Sequence, residues 1–591
     1  MKHSVGLAMI VRNEEANLVR CLDSVKDTVD EIVIVDTGST DRTLEIARRY
    51  TAKVYQYPWD GDFSAARNYA IAQCSSRWIL SLDADEELDT TSGDLRELVA
   101  SSGEYEAFFL PIYNQTDEFP DAYTRFLVLR LFRNTPAYRF KGRIHEQVVI
   151  NRPEVVGIAG TPVIVHRLVS VKERNRKRNR NLALLRQAAA EDPANPFLQY
   201  YLGVEWLGLG KVKQALPYFQ QAAEQLTDGH ILFRAPAVRY LIHCLKTLGK
   251  PDEAICVCME ESSRYPFYTD LFFDGGVLFE QKGEYEVAIK WFQEALKCGS
   301  PPPMFSHTNG TESFLSLYHL GYCCEKLGQQ RQARHYYEQA FASNPDYVYP
   351  LYNLFLTYLT ETGPLGTFDY LKAAGYLSHP QGIKVLGILF FEAGFPDLAC
   401  ACFQAPVSPA GDPTSDCAHI FARSLTYGGR PGEAIPFINS IRRTSGEIDL
   451  DLAVDEVIAL ILSNDYDTAR ARALSLWHKP EERSTAWALL NLISLSSNDR
   501  WCGKPEKTRE PVVIQTTLTI IEKCLRYRPQ HPNTASHAND RYSKLITKAI
   551  KFLTELSPRG CLALSSYLQE KANAVWQMMD RKYRPAGRLC R

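Results

Sequence analysis

Two aspartates near the start of the chain have the residue type and spacing needed to hold a cation. Asp83 and Asp85 stand one residue apart in LDADEEL, directly after the apolar strand predicted from Trp78 to Leu82. Open α/β sheets bind ligands at the carboxyl ends of their strands, and carboxylate oxygens are the hard ligands that Mg²⁺ and Mn²⁺ prefer. The pair therefore predicts a divalent cation site, although an acidic helix start would fit the same letters.

Asp36 and Arg67 occupy positions that favour contact with a ligand. Asp36 follows the apolar run VIV and precedes the turn TGST, so its carboxylate can accept a hydrogen bond from a ligand or cap the next helix. Arg67 lies one turn into a predicted helix, where a cation opposes the helix dipole unless an anion is close. An anionic ligand near this end of the helix is one explanation.

The first 170 residues alternate between strand-like and helix-like segments. This β-α-β-α order predicts an α/β domain with a mainly parallel sheet and right-handed crossovers. The predicted strands are Val5–Val11, Glu31–Val35, Val54–Tyr57, Trp78–Leu82, Ala107–Ile112, Phe126–Phe132 and Val163–Val165. The predicted helices are Glu14–Val25, Asp41–Tyr50 and Ser64–Gln73, and Ser39 and Thr40 are expected to cap the second of them.

From about residue 185 the chain changes to helix after helix with short turns. A small residue recurs after a Gly-containing turn, at intervals that include 34 and 35 residues. One interval of 66 residues leaves room for a degenerate unit around LTETGPLGTFDYL, and the Pro-rich insert at 298–314 is expected to be a surface loop. This period predicts an all-α superhelix of the tetratricopeptide type. The recurring residues are Ala215, Ala254, Ala288, Ala333, Ala399, Ala434 and Ala469.

These changes in the sequence pattern predict three regions: an α/β domain at 1–184, the repeat array at 185–480, and a helical region at 481–591. The last region acts as a cap or an oligomerisation unit in this interpretation. Residues 501–591 hold 17 Lys and Arg against 7 Asp and Glu, which suits a solvated surface or a patch for an anionic partner such as lipid. We expect no nucleic acid partner, because no reader motif accompanies the charge.

Composition and cysteine usage indicate a cytoplasmic protein. The chain is 45% hydrophobic and 23% charged, as in ordinary globular proteins. Its fifteen cysteines are scattered without a CxxC pair, which is typical of reduced thiols. The stretch SVGLAMIV is too short for the apolar part of a signal peptide, and no apolar run reaches 18 residues. We therefore expect no transmembrane helix.

The first domain resembles the family 2 glycosyltransferases of the GT-A fold, in the branch that carries a C-terminal tetratricopeptide array. The matching segments are AMIVRNEEANLVRCLDSV, DEIVIVDTGSTDRTLEIA, FSAARN, WILSLDADEEL, RLFRNTPAYRFKGRIHEQV and VIVHR. The architecture is also similar to sublancin-type peptide S-glycosyltransferases and to flagellin-modifying transferases. The resemblance implies a Rossmann-like α/β domain that binds a nucleotide-sugar.

Four residues outside the acidic pair are expected to contact the donor, and the resemblance implies the contacts of Asp36, Asn13 and Glu14. Asp36 would accept a hydrogen bond from the uracil N–H of a UDP-sugar. Asn13 and Glu14 resemble nucleotide-pocket residues, although they could simply cap the helix that follows. Arg67 would contact the nucleotide.

The resemblance also implies a metal shell. Asp85 would bind a divalent cation, Mn²⁺ or Mg²⁺, directly, and Asp83 would contact the donor ribose or a metal-bound water. His166 would complete the shell, because neutral imidazole is a competent ligand; a surface histidine is the alternative. Seven Lys and Arg lie between Arg167 and Arg180, and they could form a linker helix or a lid over the donor diphosphate.

His145 and Glu146 in GRIHEQ are the candidate catalytic residues. Transfer with inversion needs a base that takes the acceptor's proton, and Glu or His can do this. We favour Glu146 as the base, with His145 as the second candidate or as an orienting group. A structural pair at a strand edge is an equally open interpretation.

The sequence as a whole predicts a metal-dependent inverting glycosyltransferase that moves a sugar from a UDP-sugar to a peptide or protein acceptor bound by the array. The same chemistry on a lipid-linked or envelope oligosaccharide is one alternative. A non-catalytic tetratricopeptide scaffold is another, from a different class of protein.

Overall fold

A ten-stranded sheet and the helices that follow it make up the first part of the chain. The computed structural model describes residues 4–116, 122–167, 170–497, 510–527, 532–554, 561–562 and 564–569. They divide into two units at the Tyr347–Val348 junction. The first unit therefore contains the whole sheet together with the first four helix pairs of the array.

The large sheet has the strand order β3-β2-β1-β4-β7-β6-β11-β5, with β10 beside β6 and β12 beside β7. Strands β8 and β9 form a separate pair. The bounds are β1 Val5–Val11, β2 Glu31–Asp36, β3 Val54–Gln56, β4 Trp78–Leu80, β5 Glu86–Asp89, β6 Ala107–Gln115, β7 Tyr123–Arg133, β8 Phe140–Lys141, β9 Gln147–Val148, β10 Val156–Ile158, β11 Val163–His166 and β12 His307–Thr308.

The predicted α/β order is confirmed, with β1 to β4 parallel to one another. Strand β7 is antiparallel to both of its main neighbours, β4 and β6, so this half of the sheet is mixed. Strand β5 was not predicted. Because Glu86–Asp89 forms a strand that is antiparallel to β11, the alternative in which LDADEEL starts a helix is wrong.

Successive side chains of β1 lie on opposite faces of the sheet, and each face packs against different helices. Val5, Leu7 and Met9 are buried against the helices α1 and α4, whereas Ala8 belongs to the cluster that includes Ile71 of α3. This is the period of two expected for a strand covered on both faces. The helices of this domain are α1 Leu18–Val25, α2 Thr43–Tyr50, α3 Phe63–Ala72, α4 Leu95–Ala100 and α5 Val171–Glu191.

The expected cap of α2 by Ser39 or Thr40 is wrong. The Oγ of Ser39 accepts a hydrogen bond from the backbone N–H of Asn13, 3.0 Å away. Asp41 instead accepts from the backbone N–H of Thr43 at 2.9 Å, and the helix begins at Thr43. The loop after β2 is thus tied to the loop after β1.

The array in the first unit consists of paired antiparallel helices, as predicted. Ala215, Ala254, Ala288 and Ala333 are each buried in the second helix of a pair. The helices are α6 Pro196–Gly208, α7 Val212–Gln225, α8 Ile231–Thr247, α9 Pro251–Arg264, α10 Thr269–Gln281, α11 Tyr285–Cys298, α12 Phe314–Lys326 and α13 Gln330–Ser343.

A glycine facing an aromatic ring sixteen positions later marks three of these pairs. A Cβ on Gly203 would lie 2.8 Å from the ring of Phe219, and one on Gly276 would lie 2.6 Å from Phe292. Gly321 faces Tyr337 in the same way. Only glycine allows this close approach, so the spacing is a further periodic signal of the repeat.

The second unit continues the helical pattern. Ala399, Ala434 and Ala469 are buried, and the degenerate unit is two helices joined at Gly363, whose φ of 70° breaks α14. Part of the predicted region 481–591 lies outside the described residues. The helices are α14 Tyr349–Ala373, α15 Pro380–Glu392, α16 Pro396–Phe403, α17 Ala418–Tyr427, α18 Pro431–Ser445, α19 Leu450–Leu462, α20 Tyr466–Trp477, α21 Arg483–Ser497, α22 Glu510–Arg526 and α23 Pro532–Thr554. Within the described ranges, no helix combines the length and apolarity needed to cross a bilayer.

The insert at 298–314 is not the surface loop that its composition suggested. Phe305, His307 and Thr311 are buried, and β12 pairs antiparallel with the start of β7. The Nδ1 atom of His307 lies 2.8 Å from Oδ2 of the fully buried Asp270, and its Nε2 lies 3.1 Å from Oε2 of Glu312. The insert therefore attaches the array to the start of strand β7 of the sheet.

This histidine should make stability depend on pH. Burial alone would lower the pKa of His307, but Asp270 and Glu312 outweigh burial and raise it to about 9. Because the pKa in the folded state is higher than that of an unfolded histidine, the protonated ring contributes about 3 kcal/mol below pH 6.5, and this contribution is lost as the pH rises through 9. We expect His307→Gln to lower the thermal midpoint strongly at pH 6.5 and much less at pH 9.5.

Scanning fluorimetry between pH 6.5 and 9.5 measures this difference. His335→Gln, at an exposed position on α13, is the control and should show no pH-dependent difference from the parent protein. If the difference in thermal midpoint between His307→Gln and the parent protein stays constant over this pH range, the stabilising role of protonated His307 is contradicted.

Candidate functional site

A cavity of about 1280 Å³ lies in the first unit, where the carboxyl ends of the central strands face the helices α5, α6 and α8. Seven of the nine site residues predicted from the sequence line it. Asn13 and Asp36 are not among the lining residues, although their neighbours Arg12 and Thr37 are. The seven are Glu14, Arg67, Asp83, Asp85, His145, Glu146 and His166.

Asp83 is held between two guanidinium groups. Its Oδ1 accepts from Nη2 of Arg67 at 2.5 Å, and its Oδ2 accepts from Nη2 of Arg130 at 2.8 Å. Burial favours the neutral carboxyl, but the two arginines outweigh burial and keep the pKa of Asp83 well below its ordinary value. Asp83 is therefore ionised, and both its oxygens already have partners within the protein.

Arg67 connects Asp83 to the candidate base. Its Nε donates to Oε1 of Glu146, and its guanidinium lies over the ring of Phe140, 5.3 Å from the centroid. Burial lowers the pKa of Arg67, but Asp83 and Glu146 raise it more, so the net shift is upward. The protein itself therefore supplies anionic partners for Arg67 near this end of α3, namely Asp83 and Glu146.

Arg130 and Glu86 are members of the site that the sequence analysis missed. Arg130 of β7 donates to Oε1 of Glu86 at 2.5 Å, and the backbone N–H of Asp83 donates to Oε2 of the same carboxylate at 2.9 Å. Both side chains are buried. The available signal was a lone arginine inside the apolar strand FLVLRLF, which needs an acidic partner when the strand is central.

The pairing of β5 with β11 places His166 beside the acidic motif. His166 stands opposite Glu86 in the register, and its Nε2 lies 3.7 Å from Oδ2 of Asp85. Its Nδ1 lies 2.7 Å from Oδ1 of Asn114 on β6. Burial lowers the pKa of His166, but the neighbouring carboxylate of Asp85 outweighs burial and raises it.

Lys177, on the basic helix α5, reaches the same carboxylate. Its Nζ lies 3.1 Å from Oδ2 of Asp85 and 3.1 Å from Oε1 of Glu14. Burial raises the pKa of Asp85, but His166 and Lys177 outweigh burial and lower this pKa to about 2. The segment predicted as a linker helix or a lid is therefore a 21-residue helix that places a cation at the acidic motif.

Asp85 and His166 are the predicted metal ligands that lie side by side in this cavity. Over the described ranges, no group of three or more His, Cys, Asp or Glu side chains is arranged to hold a metal ion. A cation at Asp85 would therefore need ligands from outside this set, such as phosphate oxygens or water.

His145 and Glu146 lie on the opposite side of Arg67 from Asp83. The backbone of His145 has a φ of 50°, and its ring stacks on Tyr201 of α6 with 3.9 Å between the centroids. Its Nε2 lies 3.2 Å from Oε1 of Glu205 on the same helix. The turn between β8 and β9 thus carries both candidate catalytic residues and contacts the array.

Asp36 and Asn13 form hydrogen bonds with loop backbone. Asp36 is 2% exposed, and its Oδ2 accepts from the backbone N–H groups of Gly38 and Ser39, both at 3.1 Å. Asn13 accepts from the N–H of Thr40 at 2.8 Å. Asp36 therefore caps the TGST turn rather than helix α2, and the two residues fix the loops after β1 and β2.

Two segments of the chain match known families. Residues 7–151 match the family described as Glycosyl transferase family 2, and residues 315–347 match Tetratricopeptide repeat. These are the two families that the resemblance implied, and each match covers part of the chain.

The relatives are similar over parts of their length. A TPR repeat-containing protein of Synechococcus elongatus is 38% identical over 250 residues, which is 40% of this chain and 59% of that protein. An uncharacterized glycosyltransferase of Rickettsia felis is 33% identical over 25% of this chain and 55% of its own length. The SPbeta prophage-derived glycosyltransferase SunS of Bacillus subtilis is 28% identical over 37% of this chain and 53% of its own length. The chain therefore spans little more than half of these relatives.

Among solved structures, YrrB, described as a TPR protein with an unusual peptide-binding site, is similar to part of this chain. The match covers 30% of this chain and 84% of YrrB, with 16% identity and a TM-score of 0.25.

The buried ion pairs around Arg130 should be essential for stability. Arg130→Leu leaves the buried carboxylate of Glu86 without its partner, a change that costs about 3–5 kcal/mol. We expect the first thermal transition to fall by roughly 6 °C or more. Arg152→Leu, which removes an arginine whose side chain is 57% exposed, is the control and should cost at most about 1 kcal/mol.

The double variant Arg130→Leu with Glu86→Leu sharpens this test, because replacing both partners by apolar groups leaves no unpaired charge at Glu86. It should recover part of the lost thermal midpoint in calorimetry. If the thermal midpoint of the double variant falls by the sum of the losses measured in Arg130→Leu and in Glu86→Leu, the pairing is contradicted.

Proposed function

We propose that the chain is a metal-dependent inverting glycosyltransferase that moves a sugar from a UDP-sugar to a peptide or protein acceptor. The observation that carries the proposal is the single cavity that contains Asp85 and His166 on one side and His145 and Glu146 on the other. A transferase needs a donor site and an acceptor-side base facing the same space, and the guanidinium of Arg67 bridges Glu146 to Asp83, two residues before Asp85.

The donor side fits a divalent cation. Oδ2 of Asp85 and Nε2 of His166 lie 3.7 Å apart, and these two side chains would hold the ion, since carboxylate and imidazole are both ligands of divalent cations. When Nδ1 of His166 donates to Asn114, the Nε2 lone pair faces a carboxylate, and a cation stabilises such a pair of acceptors. The bound ion would act as a Lewis acid that neutralises the charge on the departing diphosphate.

The basic helix α5 suits the same anionic leaving group. Arg174, Arg178 and Arg180 line the cavity together with Lys177, and guanidinium groups pair with phosphate oxygens through several N–H donors. We assign these residues to binding the diphosphate. Thr37 and Arg12, at the loops fixed by Asp36 and Asn13, would border the nucleotide.

Glu146 is our candidate for the acceptor-side base. Arg67 engages Oε1, which fixes the plane of the carboxylate, and we assign the acceptor's proton to Oε2. The sugar carbon gains a bond to the acceptor atom while its bond to the diphosphate oxygen breaks, and the bonding pair leaves with the diphosphate. His145 then orients the acceptor or takes part in the same hydrogen-bond network.

The peptide acceptor is proposed from the walls of the cavity. Helices α6 and α8 contribute Tyr200, Tyr240 and Leu232 to its surface, and tetratricopeptide superhelices present concave faces suited to polypeptide segments. The resemblance to sublancin-type peptide transferases supports the same class of acceptor.

Donor binding should stabilise the protein only when the metal site is intact. UDP with Mn²⁺ at about one hundred times its Kd adds about 2.7 kcal/mol by mass action, which is a rise of several degrees in scanning fluorimetry. Asp85→Ala should abolish this rise, whereas the control Asp27→Ala, at an exposed position, should keep it. Equal stabilisation by UDP with EDTA and with Mn²⁺ would contradict metal dependence.

The base assignment predicts a different pattern. Glu146→Gln should retain the thermal shift with UDP and Mn²⁺ but lose at least tenfold in the Mn²⁺-dependent release of UDP from UDP-sugars, with water in the place of the acceptor. UDP release by a coupled assay, over a panel of UDP-sugars, measures this. An unchanged rate in Glu146→Gln would exclude it as the base.

A further inference from the structure

We infer that the first helix of the array completes the catalytic site, with Tyr201 and Glu205 of α6 acting as positioning residues for His145. This inference rests on the proposed function and assigns a part of its machinery to the repeats. The array then contributes to the chemistry of transfer as well as to the docking of an acceptor.

The backbone of His145 has to be held in place. Its φ of 50° lies in the left-handed region, which costs a non-glycine residue of order 1–3 kcal/mol and persists only when the surroundings impose it. The surroundings here come from α6, because the His145 ring lies parallel to that of Tyr201 within 2° at 3.9 Å. The same helix contacts the ring edge through Glu205, at 3.2 Å from Nε2.

Glu205 is a buried charge with several partners on other elements. It is 3% exposed. Its Oε1 accepts from Nδ2 of Asn181 at 2.8 Å, and its Oε2 accepts from Nη1 of Arg178 at 3.1 Å. Burial raises the pKa of Glu205, but His145, Asn181 and Arg178 outweigh burial and lower it. The carboxylate is therefore ionised and rigidly oriented toward the imidazole.

An ionised carboxylate at Nε2 selects one tautomer of the imidazole. Nε2 carries the hydrogen that points at Glu205, and Nδ1 then keeps its lone pair, as in other sites where a carboxylate orients a histidine. His145 thus presents a hydrogen-bond acceptor in the turn that also carries Glu146. Its neighbour Glu146 is fixed by Arg67, so the acceptor side is held from the catalytic domain and from the array.

Glu205 also connects the two sides of the cavity. Arg178 and Asn181 belong to α5, the helix that places Lys177 at Asp85. One carboxylate of the array therefore fixes both the acceptor-side turn and the helix that reaches the donor side. Neither the family 2 domain by itself nor a docking platform would need such a buried group.

The test compares full-length variants in the Mn²⁺-dependent release of UDP from the UDP-sugar that the parent protein hydrolyses fastest. Tyr201→Leu removes the flat surface under the imidazole. We expect kcat to fall at least tenfold, while KM for the UDP-sugar and the thermal shift with UDP and Mn²⁺ stay within threefold and 1 °C of the parent. Tyr201→Phe keeps the ring and should retain at least a third of kcat.

Glu205→Gln gives a second, nearly isosteric variant. Arg178 will attract the amide oxygen, which turns the NH₂ group toward Nε2 of His145 and favours the other tautomer. We again expect a tenfold loss in kcat with little change in KM. Tyr218→Leu, a half-buried tyrosine on α7 that does not line the cavity, is the matched control and should retain the parent kcat.

The outcomes separate the inference from the function on which it rests. A parent protein that shows neither a thermal shift with UDP and Mn²⁺ nor UDP release overturns both. Normal donor binding and release in the parent, with kcat of Tyr201→Leu and Glu205→Gln within twofold of it, overturns the positioning role alone. A loss of kcat that comes with an equal loss of the thermal shift assigns the residues to folding and overturns it as well.

Discussion

The site depends on the neutralisation of a group of buried carboxylates by two arginines. Asp83 and Glu86 approach each other closely enough to share the guanidinium of Arg130, and Asp83 and Glu146 share that of Arg67. Acids packed this densely at the ends of strands would repel one another and resist burial without these partners. The two arginines therefore allow an acidic surface to be pre-formed and rigid at the wall of a cavity.

A second level of organisation comes from strand pairing. The short strand β5 runs antiparallel to β11, so Glu86, the residue after Asp85, stands opposite His166 in the register. The register of β5 is specified because one of its faces is buried, and a slip of one residue would turn every side chain to the other face. The distance between Asp85 and His166 is thus a consequence of register rather than of flexible side chains.

The repeats are structurally continuous with the sheet and its helices in the first unit. Helix α6 contacts His145, helix α5 contacts both Asp85 and Glu205, and β12 from the insert extends the sheet beside β7. Such contacts explain why the first structural unit extends to Tyr347 instead of ending with the sheet. The cavity therefore has walls from both the sheet and the helical repeats.

The sequence by itself determined the elements whose signals are local. Apolar runs predicted the parallel strands, and the 34-residue period predicted the helix pairs. Polar residues after strands, together with Arg67 near a helix start and the pair in GRIHEQ, predicted seven side chains that line one cavity. It did not determine their partners. Arg130 lies 47 positions from Asp83, and Glu205 lies 60 positions from His145. A local sequence pattern, such as that of one strand or one helix, therefore contains only one member of each pair. The tertiary structure decided which charge neutralises which, because burial removes water as the competing partner and packing determines which guanidinium and carboxylate groups are within reach of each other.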